Sequence, residues 1–169
     1  MSDIAPQAHV SIIMADFASA DASGKNNVIG AGVDVLGFDP GQGVTARFGL
    51  LVTVTVPGSV APCDLALEIA LLTAAGDVAS LPGPVPGGNP QVVRVGQFVT
   101  LQKPAMPGIP AGNADHFLAR ANIGLDFAAG LPLAAGGLYT WRVQIDGDSD
   151  HEVRYPFGVA GPPPSPVVG

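Results

Sequence analysis

The chain has 169 residues, of which 47% are hydrophobic and only 12% charged, and its 14 acids against 7 bases leave a net charge of -7 at pH 7. That length suits one domain with its own core and is short for two. The few bases are scattered, so no cationic stripe exists to displace counterions from a nucleic-acid backbone, and no uncharged apolar run reaches the roughly 18 residues of a spanning helix. Neither nucleic acid nor membrane is therefore an expected partner.

A soluble chain is typically about one quarter charged, and with a mean hydropathy of +0.39 this one has little charge to cover its surface. Two readings of that deficit stand side by side. Some surface is covered by other protein, whether partners or copies of the chain itself, or the excess of Ala, Val, Gly and Pro reflects a high-GC genome. The opening "MSDIAPQAHV" has no basic segment before an apolar one, so residence in the bacterial cytoplasm, or in a virion assembled there, is expected rather than secretion through a signal peptide. Cys63 is alone, so no internal disulfide forms.

In chain order, an N-terminal arm (1–7) precedes a first strand in "AHVSIIMADF". "DASGK" reads as a hairpin turn, and "NNVIGAGVDVLGF" as a strand with Ile29, Ala31, Val33 and Val35 on one face and Gly30 and Gly32 on the solvent or close-packing side. A phosphate-binding loop fails there: Asn26 follows Lys25 where a hydroxyl must hold magnesium, and strand rather than helix comes next. "VTARFGLLVTVTV" alternates with Val44, Ala46, Phe48, Leu50, Val52, Val54 and Val56 to one side. "CDLALEIALLT" suits a helix by propensity, but Asp64 and Glu68 alternate with Cys63, Leu65, Leu67, Ile69 and Leu71, which favours a strand with an inward, structural Cys63.

"QVVRVGQFVTL" alternates more weakly. "HFLARANIGLDF" places Phe117, Ala119, Ala121, Ile123, Leu125 and Phe127 inward; "GLYTWRVQID" buries Tyr139, Trp141, Val143 and Ile145; "HEVRYPF" buries Val153, Tyr155 and Phe157. Gly and Pro punctuate these runs at short spacing. Two longer connections, Leu81–Pro90 and Lys103–Asn113, are too rich in proline for helix or central strand and read as surface loops. The expected fold is all-β: one antiparallel β-sandwich of about eight strands over residues 8–158, immunoglobulin-like in style, followed by a Pro-rich tail at 159–169.

"HVSIIMADFASADASGKNNVIGAG", with "PGIPAGN" and "LPLAAGGLYTWRVQIDG" later, resembles a family of short, functionally uncharacterised β-sandwich proteins of actinobacteria and their phages. The resemblance covers most of residues 8–157 and leaves out the tail. It implies a fold and no activity.

Chemistry is sparsely signposted. Asp146, Asp148 and Asp150 alternate as at the front of a calcium loop, but His151 stands where that loop needs Gly and Phe157 where it needs its bidentate Glu; they remain the only metal candidates, against an ordinary acidic hairpin. His9, His116 and His151 lack zinc spacing, no nucleophile elbow surrounds a serine, and no cofactor is expected. Arg120, Arg142 and Arg154 fall on the outward faces of three successive strands, where a partner's carboxylates would relieve their repulsion if those strands are neighbours. With Pro162, Pro163, Pro164, Pro166, Val167 and Val168 of the tail they form the candidate partner interface. The expectation is a non-enzymatic structural or interaction protein, a phage capsid decoration or accessory protein. Its alternative is a cytoplasmic module binding a small molecule or peptide between the two proline-rich loops, and a third reading is an enzyme using His116 or His151 with a carboxylate.

Overall fold

A computed structural model of the chain describes residues 3–21, 24–83, 88–105, 107–108 and 110–161, with backbone alone at 111–112. The tail positions Pro162, Pro163, Pro164, Pro166, Val167 and Val168 lie outside the described residues, as do parts of both proline-rich loops.

Thirteen strands follow in order: β1 (His9–Ala20), β2 (Asn26–Ala31), β3 (Val35–Leu36), β4 (Phe38–Asp39), β5 (Val44–Thr45), β6 (Phe48–Pro57), β7 (Cys63–Thr73), β8 (Ser80–Leu81), β9 (Gln91–Val92), β10 (Arg94–Leu101), β11 (Leu118–Phe127), β12 (Leu138–Ile145) and β13 (Val153–Val159). Among the described residues the other regular elements are short 3-10 helices at Ala5–Gln7 and Ala111–His116. The expected all-β class and antiparallel sandwich are what the chain adopts. Its long strands lie in two sheets, ordered β11-β6-β1-β2 and β10-β7-β12-β13-β3, and the two-residue pairs β4-β5 and β8-β9 complete it. Of the pairings, only β13 with β3 is parallel.

Period-two alternation explains how the sheets face each other. Phe48, Leu50, Val52, Val54 and Val56 of β6 are buried against Leu65, Leu67, Ile69 and Leu71 of β7 and Trp141, Val143 and Ile145 of β12. A row of rings ties the two layers together: Phe48 stacks on Phe127 at 4.7 Å, Phe127 on Trp141 at 5.5 Å, and Trp141 on Phe157 at 6.4 Å. The Trp141 ring at its centre is fully buried.

The first hairpin departs from the simple sandwich. β1 pairs with both β6 and β2, and its second half crosses the outer face of the first sheet, where glycines make room. A Cβ on Gly49 would lie 2.4 Å from the Ala18 nitrogen, and one on Gly124 3.3 Å from the Ala20 nitrogen. Ala15, Ala18 and Leu51, flanked by Ile13 and Val28, form a small second core under this roof. The turn closing it bonds Asp21 to Lys25, amide to carbonyl at 2.9 Å, and the Asp21 carboxylate accepts the Lys25 amide at 3.0 Å. Gly24 and Lys25 thus build a hairpin.

Three segments differ from expectation. "VTARFGLLVTVTV" is interrupted at Ala46 and Arg47 into β5 and β6, and Ala46, expected inward, is exposed while Thr45 is buried. Phe117, also expected inward, precedes β11 and is 40% exposed. "NNVIGAGVDVLGF" does not continue as a strand: β2 stops at Ala31, Ile29 is 66% exposed and Val35 63%. The cause is geometric. Gly30 and Gly32 have φ of 67° and 89°, which turns the chain, and Gly30 packs against the Asp16 side chain with no room for a Cβ.

Candidate interaction surface

The outer face of the second sheet carries a set of ionised groups that meet one another. Register sets them there: Arg94 and Arg142 both lie opposite Ala70, one on each side of β7, and Arg142 lies opposite Arg154. Glu68, one outward position along β7, reaches both flanking strands. Its carboxylate accepts from the Arg142 guanidinium at 2.7 Å and from the Arg94 Nε at 2.8 Å. Glu152 in turn pairs with Arg154 and accepts from Gln144 at 3.0 Å.

Burial by itself raises the Glu68 pKa, but the two guanidiniums outweigh it and hold the carboxyl below its ordinary value. The arginine expectation is corrected on two counts. Arg120 lies on β11 in the other sheet, away from Arg142 and Arg154. Arg142 and Arg154 are paired with Glu68 and Glu152 of the chain itself, so no partner is required to supply carboxylates.

The acidic turn after β12 is spent on its own backbone. Asp146, at φ 52°, accepts the Ala66 amide at 2.7 Å and returns its own amide to the Ala66 carbonyl at 2.7 Å. Asp148 accepts the Asp150 amide at 2.9 Å, and its other oxygen lies 3.3 Å from His151 Nδ1. The Asp150 hydrogen bond and then His151 hold the Asp148 carboxyl below its usual range. Asp146, Asp148 and Asp150 therefore do not converge, and among the described residues no group of three metal-ligating side chains is assembled. The His151–Asp148 contact is the kind of pair an acid–base mechanism needs. It sits at an exposed hairpin tip and lines none of the four concavities described.

Cys63 is half-buried against the core; burial first, then Asp64 and Asp146, push its thiol up, away from nucleophilic character. The Tyr155 hydroxyl donates toward the Val33 carbonyl and Asp34, both at 3.2 Å, and burial followed by Asp34 raises its pKa.

Of the four concavities described, one of about 670 Å³, open to solvent, lies where the first hairpin meets the start of β11. Arg120, His116 and Asn122 face it with Gly24, Gln102 and Pro104. Asn122 is already engaged: it donates to the Gly24 carbonyl at 2.8 Å and accepts from Thr53 at 2.8 Å and Asn26 at 3.2 Å. Of the two proline-rich loops only Lys103–Asn113 contributes, through Pro104; no described residue of Leu81–Pro90 lines it.

Apolar side chains, by contrast, stand in solvent. Phe98 is 88% exposed, and Leu138 and Val35 flank Gly158 across three adjacent strands at 67% and 63%. Sequence reasoning missed Phe98, although Arg94, Gly96 and Thr100 share its register and mark that face as outward.

No family model and no curated protein matches the chain. Among solved structures it is similar to a β-glucosidase from Listeria innocua in complex with gluconolactone, at 11% identity and a TM-score of 0.38. The match covers 91% of this chain and 16% of that one. A likeness that distant carries no functional argument.

Proposed function

We propose that the chain is a non-enzymatic β-sandwich that works through its surface, as a decoration or accessory protein of a phage particle. The observation that carries a surface role is the distribution of polarity. Ionised groups on the second sheet neutralise one another within the chain, while Phe98, Leu138 and Val35 stand in solvent, where an isolated protein gains nothing from them. The phage assignment rests on the family resemblance of residues 8–157 and on the acidic net charge of -7.

The test is velocity sedimentation of lysate from the native source, probing where the untagged chain migrates. Co-sedimentation with a large particle is the expected result; migration as a free monomer or dimer in lysates containing assembled particles would remove the particle reading. A second reading, a module for a small anionic molecule, is favoured by the concavity at Arg120 and His116. Arg120→Ala leaves particle association intact under the first reading and abolishes ligand capture under the second.

A further inference from the structure

Among the described residues, the second sheet ends in an open strand. The two sheets have four edges, formed by β2, β11, β3 and β10. Exposed edges invite pairing with another chain, and folded proteins blunt them by shortening, charge, proline or distortion. β3 is two residues long, β2 is bent at Gly30, and β11 carries Arg120 and Asp126 and is tied to the first hairpin through Asn122. β10, "RVGQFVTL", has eight residues, no proline and no lysine, and its single charge is already paired with Glu68.

Its ladder parity is fixed. The Leu71 amide donates to the Val93 carbonyl at 3.0 Å, so odd residues of β10 bond to β7. Arg94, Gly96, Phe98 and Thr100 therefore turn their N–H and C=O groups to the empty side.

We infer that β10 pairs antiparallel with β10 of a second copy about a two-fold axis at Gln97, joining two five-stranded sheets into one. This inference stands apart from the particle reading. In that register Gly96 lies opposite Phe98 of the second copy, Arg94 opposite Thr100, and Gln97 opposite itself. Three properties of the strand fit an identical partner.

First, the most exposed large side chain of the face, Phe98, meets the position with the most room: nothing lies within 4 Å of where a Gly96 Cβ would be. An aromatic ring covering a cross-strand glycine is a known stabilising pair. Second, Arg94 and Thr100, which lie opposite each other in that register, are each held by a carboxylate of β7 in their own copy, Glu68 and Asp64, so neither brings an unpaired charge to the seam. Third, the seam itself is neutral: Asp64 and Glu68 balance Arg94 and Arg142, which spares it the repulsion expected between two chains of net charge -7. All four edge-facing residues are used, giving about eight new backbone hydrogen bonds.

The test combines association and crosslinking, with Cys63→Ala in every cysteine variant. Sedimentation equilibrium of the wild-type chain is expected to show a reversible dimer, and Phe98→Lys, with unchanged far-UV circular dichroism, to weaken it about 50-fold or more. A residue on the two-fold meets its own copy at about 4.5 Å between Cα atoms, within disulfide reach. Gln97→Cys is therefore expected to crosslink under mild oxidation and Phe98→Cys to crosslink poorly. A wild-type chain monomeric at about 100 μM, far above the dissociation constant of a specific dimer, would overturn the inference. So would a dimer indifferent to Phe98→Lys, or Phe98→Cys crosslinking more efficiently than Gln97→Cys. Protection of β10 amides only on addition of an extended foreign peptide would assign the edge to another protein and equally overturn self-pairing.

Discussion

Glu68→Gln isolates one charge in the middle of the second sheet. The substitution keeps the shape and a carbonyl acceptor but leaves Arg142, 19% exposed, and Arg94, 55% exposed, without their shared anion. Exposed ion pairs contribute about 0.2–1 kcal/mol, whereas removing one partner from a buried pair costs about 3–5 kcal/mol. The Glu68 side chain is 20% exposed, so its bond to Arg142 falls between these limits, while solvent screens most of the Arg94 arm. The expected loss is about 2 kcal/mol at pH 7, equivalent to about 4–8 °C in Tm for a chain of this size.

The pH dependence has a definite sign. Because the folded carboxyl titrates below its ordinary value, its contribution is complete above the unfolded pKa of about 4.3 and is lost as pH falls through the folded pKa. Urea unfolding of wild type and Glu68→Gln at a series of pH values should therefore show a gap that is constant from pH 7 to about 5 and closes below about pH 4. A gap under about 0.5 kcal/mol at pH 7, or one that persists undiminished at pH 3, would refute the reasoning.

Two further substitutions probe the roof over the first sheet. Gly49→Ala drives a methyl group into the Ala18 backbone, which cannot yield as a flexible side chain would, and is expected to cost about 2–3 kcal/mol in chemical denaturation. Asn122→Ala removes the side chain that Gly24, Asn26 and Thr53 share; it should cost only about 1 kcal/mol globally but accelerate hydrogen exchange across residues 16–31, read by mass spectrometry on that peptide.

Which features are legible in the sequence follows from which signals are local. The inward sets of β6, β7, β11 and β12 repeat every second residue within one segment, so each segment by itself declares a strand and the face it buries. "CDLALEIALLT" shows the strength of that signal, since alternation of Asp64 and Glu68 outweighs helix propensity. Strand order is another matter. Whether Arg120 sits beside Arg142 depends on pairings between residues far apart in the chain, and nothing in either segment encodes them. The same holds for Glu68, visible as an outward acid but not as the residue that joins Arg94 to Arg142. The bend at β2 is accessible in principle: two glycines at alternate positions permit left-handed backbone as readily as a close-packed strand face, and both take the left-handed form.

The sheet order β10-β7-β12-β13-β3 also fixes where the chain departs. β13 ends at Val159, and the Ala160 amide, bonded to the Leu36 carbonyl at 2.8 Å, holds that exit beside β3. Three strand spacings, about 14 Å, separate β13 from β10. A label, affinity tag or surface tether fused directly after Gly161, in place of residues 162–169, consequently hangs from the side of the sheet remote from β10, and immobilisation through that end presents β10 to the solution. For biosensor or force-spectroscopy work on this chain, the handle belongs there.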